Sequence, residues 1–152
     1  MAATVRVGGR GLTLVSAHLD PRGPMGHQVL GTRGRSLQTQ HLLEALEHDT
    51  VIIGADLNLA GGRYEPTWRL LREAGFGMGV PAVLPNWRHT YHGIPRLVID
   101  YLLVRDRVGL IAGASVQRLD EHPQDLGEYV FGSDHHPLLS RVDFANAGET
   151  AA

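Results

Sequence analysis

Apolar and polar positions alternate with a period of two over several short stretches. They follow a helical spacing over two longer ones. Val5-Arg6-Val7 and Leu12 to Leu19 read as two strands, and Gly8-Gly9-Arg10-Gly11 between them is a hairpin signal. Pro21 to Gly34, with two Pro and four Gly, reads as a loop. Arg35 to Glu47 holds good helix formers, with Leu42, Leu43 and Leu46 gathered on one side. Val51 to Ala55 is a short apolar run, as for a buried strand. Pro66 to Ala74 reads as a helix with Pro in its first turn and Gly75 just past its end. Gly77 to Asn86 is read as irregular, and Thr90-Tyr91 with Leu97 to Val104 as a hairpin around His92-Gly93-Ile94-Pro95. Val108 to Val116 and Pro137 to Phe144 are two further strands, with a loop from Glu121 to Gly132 before the last. Strands mixed with two helices predict a layered α/β domain over residues 1–144, followed by a flexible tail over 145–152.

The informative positions are polar groups among apolar ones. On Leu97 to Val104, Asp100 shares its face with Val98, Leu102 and Val104. A carboxylate there must be paired, either structurally with backbone or Arg, or with a His that it orients for catalysis. Asp56 and Asn58 follow the Val51 strand at a spacing of two. If that strand continued, both side chains would point the same way at its C-terminal end, two oxygen donors suited to a hard cation; the alternative is that Asp-Leu-Asn starts a turn. His18 ends the strand from Leu12, on the face of Leu14 and Ser16, either as a structural or as a catalytic imidazole. Ser133-Asp134-His135-His136-Pro137 sets a carboxylate and two imidazoles just before the last strand. That cluster is a metal ligand or general base on one reading, and a polar loop on the other.

Composition narrows the chemistry. In 152 residues, fourteen basic side chains, all Arg, face sixteen acidic ones for a net charge of −2. There is no broad basic footprint of the kind general nucleic-acid binders carry. Cysteine is absent, which removes disulfides, thiolate zinc sites and cysteine nucleophiles. The nine His do not fall into the helical His-Glu-x-x-His spacing, so zinc is disfavoured. No apolar run approaches a membrane span and no leader-like segment opens the chain. Cytoplasmic placement is the default, with secretion of a longer parent left open.

The order of these blocks is more specific than any one of them. Leu14-Val15-Ser16-Ala17-His18-Leu19, Arg35-Ser36-Leu37-Gln38, Ile53-Gly54-Ala55-Asp56-Leu57-Asn58, Thr90-Tyr91, Ile99-Asp100-Tyr101-Leu102-Leu103-Val104 and Ser133-Asp134-His135-His136-Pro137-Leu138 follow one another along the chain. From Val5 to Phe144 the sequence resembles the endonuclease/exonuclease/phosphatase superfamily, which includes deoxyribonuclease-I-like nucleases and sphingomyelinases.

The resemblance implies a metal-dependent phosphoesterase acting on a phosphodiester or phosphomonoester. His135 would be the general base, with Asp100 holding its ring. Asp56 and Asn58 would orient the nucleophile or phosphate and contact the metal, Asp134 would be a metal ligand, and His18 would touch a phosphate oxygen. The implied cofactor is Mg²⁺, with Mn²⁺ as substitute.

The family's fold is a four-layer α/β/β/α sandwich, of which this chain matches the second half as a partial β-sandwich flanked by helices. Complete members begin with a strand ending in Asn and a helix carrying Gln-Glu, and both the Asn and the Glu ligate the metal. Here Met1 stands only one short strand ahead of the His18 strand, and Glu44, Glu47 and Glu65 lie in other contexts. The expectation is therefore a truncated product, a misassigned start or a minimal variant: a weak metal binder and poor catalyst whose open sheet edge invites self-association. The alternative is a non-catalytic remnant serving as a binding or interaction module.

Overall fold

A computed structural model of the protein describes residues 1–22, 31–77, 89–91, 93, 95–119 and 132–145. Among these residues six strands and two α-helices follow in the order β1 (Ala2–Val7), β2 (Arg10–His18), α1 (Thr32–Glu44), β3 (Thr50–Asp56), α2 (Pro66–Glu73), β4 (Asp100–Asp106), β5 (Ile111–Arg118) and β6 (Leu138–Phe144). They form a four-stranded sheet, β1-β2-β3-β4, and a two-stranded sheet, β5-β6. The architecture is mixed α/β, a partial sandwich with helices on one side.

Local sequence explains most of the elements. Gly8 and Gly9 take φ of 55° and 80°, the pair of positive values that a two-residue hairpin loop needs, and Val7 pairs with Arg10 across it. β2 and β3 run parallel, so the chain between them crosses over through α1. β4 returns antiparallel to β3. Period-two alternation splits the sheet into two faces. Val15, Val51, Ile53, Tyr101 and Leu103 pack with Leu71 and Phe76 under the helices, and Leu42, Leu43 and Leu46 lean on the same core. On the opposite face, Leu12, Ile52 and Val104 meet Leu110, Ile111 and Val142, which come from β5, β6 and their approach.

Among the boundaries that differ from the sequence expectation, three have a clear physical cause. α1 starts at Thr32 rather than Arg35, so Gly34 lies inside a helix instead of ending a loop. The first turn is held by tertiary structure: Arg35, fully buried, donates from Nη2 to Glu65 Oε2 at 2.8 Å, and Glu65 Oε1 also accepts from the Gly61 N–H at 3.0 Å. β4 starts at Asp100 rather than Leu97; Leu97 instead forms a single bridge with Tyr91. β5 starts at Ile111 rather than Val108, because Gly109 turns the chain at φ 66° and Asp106 accepts the N–H of both Val108 and Ile111. Residues 78–86, 121–131 and 146–152, read as irregular, loop and tail, lie outside the described residues, whereas Ala145 is tied to the Leu110 carbonyl. No helix among the described residues is long and apolar enough to cross a membrane.

Candidate active site

Register builds the site. His18 is the last residue of β2 and pairs with Asp56, the last of β3, which pairs in turn with Asp100, the first of β4. One row across the sheet therefore carries an imidazole and two carboxylates, all on the face opposite the helices. His135 reaches the row from the loop before β6.

Asp100 Oδ2 lies 2.9 Å from His135 Nδ1, and Asp56 Oδ2 lies 3.9 Å from His135 Nε2. His18 Nε2 approaches Asp56 Oδ2 at 3.4 Å from the solvent side, with a side chain 68% exposed. The other carboxylate oxygen of Asp56 accepts the Asn58 N–H at 2.9 Å. This local bond turns the chain out of β3, and Asn58 sits at φ 50°, the left-handed region that Asn tolerates best among non-glycine residues. The strand thus ends at Asp56, so Asn58 is not presented by strand alternation. It reaches the same cleft through the turn, while its Nδ2 holds the Leu19 carbonyl at 2.9 Å.

The cleft measures about 210 Å³. His18, Asp56, Asn58 and His135 supply its polar side; Pro21, Tyr91, Leu97 and Ile99 supply an apolar wall. The Tyr91 ring stands 5.3 Å from that of His135, tilted by 57°. Ser133 Oγ accepts the His135 N–H at 3.1 Å. Tyr91 and Ser133 were both inside the blocks read from sequence, but nothing in their spacing gave them a role. His136 is buried and lines a neighbouring cavity with Asp56 and Asp100.

Electrostatics single out Asp56. Burial raises its pKa above the ordinary carboxylate value; the Asn58 N–H opposes this, the neighbouring Asp100 charge adds to it, and His18 and His135 partly offset it. On the opposite face, Tyr101 is pushed up to about 12 by burial, then by Glu65 and Asp100. It stays a neutral donor to the Val98 carbonyl at 2.8 Å.

Asp56, Asp100 and His135 each offer a ligand atom within 4.8 Å of the others. Two carboxylates at close quarters, one raised by burial and by the other's charge, with an amide beside them, offer a small set of oxygen donors of the kind a hard divalent cation takes. Asp134, expected among the ligands, is exposed and stands outside this cluster. It precedes His135 in the loop before β6, and it is exposed where His135 is half-buried. Glu65 is committed to Arg35 and Gly61 and is no ligand candidate.

No protein-family model matches the sequence, and no curated protein does. Solved structures do. A TDP2 from D. rerio humanized by 14 mutations superposes with TM-score 0.59 at 19% identity over 95% of this chain and 59% of its own. The 3'-5' exonuclease NExo from Neisseria meningitidis gives 0.57 at 16% over 92% and 64%. Sphingomyelinase C from Streptomyces griseocarneus gives 0.58 at 20% over 95% and 56%. These are enzymes of the endonuclease/exonuclease/phosphatase superfamily. The chain shares their fold. It spans between 56% and 64% of the length of these three proteins. At such identities the likeness carries architecture, and chemistry has to be argued from the site.

Proposed function

We propose that the chain hydrolyses a phosphoester, a phosphodiester or a phosphomonoester, with a divalent metal, or forms the part of such an enzyme that carries the general base. One observation carries this reading: an imidazole fixed at Nδ1 by one carboxylate turns Nε2 toward a second. With Asp100 ionised, the tautomer that donates from Nδ1 is favoured, so Nε2 holds the free lone pair. The 3.9 Å between Nε2 and Asp56 Oδ2 is too long for a direct hydrogen bond and is a span that one water bridges. His135 takes a proton from that water as its oxygen attacks phosphorus, and Asp100 stabilises the imidazolium that forms. His18 at the rim donates to a phosphate oxygen where charge builds up, and Asn58 orients the phosphate. A Mg²⁺ or Mn²⁺ held by Asp56 and Asn58 would polarise the phosphoryl group and stabilise the leaving oxygen. With so few protein oxygens, weak affinity is expected. The metal-dependent phosphoesterase character of the fold neighbours supports the same reading.

The test is turnover of bis(p-nitrophenyl) phosphate with Mg²⁺ or Mn²⁺. Activity that a chelator removes and His135→Ala abolishes is expected; a folded chain with no turnover under either metal overturns the reading of this chain as a hydrolase by itself and leaves only the part of one.

A second reading, an interaction module, is favoured by β1. Among the described residues that strand pairs only with β2, is exposed over Ala2–Arg6, and sets Val5 beside β2 on the face where Leu14 is also exposed. Unpaired backbone along such an edge recruits another strand. Light scattering is expected to show concentration-dependent association that Val5→Lys suppresses. A monomer at high concentration removes this reading.

A further inference from the structure

The 2.9 Å bond between Asp100 and His135 joins two parts of the fold that belong to different sheets. Asp100 opens β4 of the larger sheet, and His135 lies in the loop leading to β6 of the smaller one. A general base has to be held to about half an ångström, and a displacement of about 1 Å can lower a rate about a hundredfold. Something must fix the separation of the two parts.

Thr90 contacts both. It is fully buried, in the single-bridge segment beside Leu97. Its hydroxyl oxygen accepts the N–H of Ile99 at 3.0 Å and of Asp100 at 3.1 Å. Its carbonyl accepts the N–H of His136 at 2.8 Å, and its own N–H donates to the Leu97 carbonyl at 2.9 Å. One residue thus grips the backbone of Asp100 and the backbone next to His135. Tyr91, the following residue, bridges Leu97 and His135 and lays its ring against the imidazole.

We infer that Thr90 is a positioning residue, which sets the distance between Asp100 and His135 through its hydroxyl on one side and its carbonyl on the other. The inference rests on His135 and Asp100 working as a pair, but its test does not require turnover. A buried Thr that merely satisfies two backbone donors would affect stability alone. A positioning Thr also affects the imidazole.

Thr90→Val keeps the shape and the carbonyl and removes the acceptor; Thr90→Ser keeps the carbonyl and the acceptor and gives up only the methyl group. The Nδ1 proton of His135, bonded to a carboxylate, gives a downfield proton NMR resonance, assigned by its loss in His135→Ala. It is expected in the wild type and in Thr90→Ser, and lost or shifted in Thr90→Val. Where turnover is measurable, Thr90→Val lowers kcat by about 10- to 100-fold with KM little changed, and Thr90→Ser restores it. In the unmodified protein, the amide protons of Asp100 and His136 are expected to exchange with one common opening rate. A folded Thr90→Val with the resonance intact overturns the inference. So do unrelated exchange rates at Asp100 and His136, a measurement that decides the matter even if Thr90→Val fails to fold. A wild type with the resonance but no turnover would instead sink the hydrolase reading and leave the positioning role standing.

Discussion

The β3–β4 ladder carries a carboxylate at each end of the same sheet face, and the two have opposite characters. At one end Thr50 pairs with Asp106; at the other Asp56 pairs with Asp100. Burial works to raise the Asp106 pKa, but the N–H groups of Ile111 and Leu110, the Thr50 hydroxyl and the Val108 N–H together leave it below the ordinary value. The Thr50 hydroxyl donates at 2.9 Å and the Ile111 N–H at 2.7 Å. Among the described residues Asp56 has a single backbone donor and a second carboxylate opposite, and it is left above the ordinary value. A carboxylate supplied with hydrogen bonds by its own chain is a structural part. One left with fewer donors than its burial calls for is a candidate for chemistry rather than for structure.

The sharpest way to break this comparison is to cut each end separately. His135→Ala at the Asp56 end is expected to lower metal-dependent phosphoester turnover by about 10²- to 10⁴-fold, with little change in thermal stability. Asp106→Ala at the other end is expected to leave turnover per folded molecule unchanged and to destabilise by about 2–3 kcal/mol, roughly 5–10 °C in Tm, because several backbone and hydroxyl donors lose their acceptor. The sign with pH follows from the lowered pKa: Asp106 contributes at neutral pH, above its unfolded value, and the contribution disappears as pH falls through the folded one. The gap between wild type and Asp106→Ala therefore closes in acid. A rate loss in Asp106→Ala, or a collapse of stability in His135→Ala, would erase the distinction between the two ends.

How much of this was legible in sequence depended on the range of the interaction involved. Asp100 could be read because strand alternation alone sets it with Leu102 and Val104, and a charge on that face demands a partner. His18, Asp56 and Asp100 could be read as candidates, but not as one row, because register between strands is fixed by the sheet. Asp56 and Asn58 share a cleft through a turn bond and a positive φ, not through the strand continuation that spacing two suggests. Asp134 and His135 are neighbours in sequence, and no periodicity in a loop says which one turns inward. The early start of α1 depended on Arg35 and Glu65, 30 residues apart, whose pairing overrides the loop signal of Gly34. Thr90 was invisible as a clamp because its partners are backbone groups, which every sequence has.

The smallest expected effect is the most discriminating. If Asp56 is kept short of partners, replacing it should stabilise the metal-free protein. Its folded pKa lies above the unfolded one, so the folded state binds the proton more tightly. Stability falls as pH rises from the unfolded value through the folded one, and the deficit then persists to neutral pH. Asp56→Asn keeps a side-chain oxygen to accept the Asn58 N–H and removes the charge that faces Asp100. In chelator at pH 7 it is expected to raise stability by about 0.5–1 kcal/mol, roughly 1–4 °C in Tm. The advantage should shrink as pH is lowered toward the range where Asp56 protonates by itself. Added Mg²⁺ should raise the Tm of the wild type according to its occupancy and leave Asp56→Asn nearly unmoved. Calorimetry in chelator and in Mg²⁺, across pH, reads all of these from two proteins. An Asp56→Asn chain less stable than wild type in chelator at pH 7 would make Asp56 a structural carboxylate of the same kind as Asp106, and the two ends of the ladder would no longer differ.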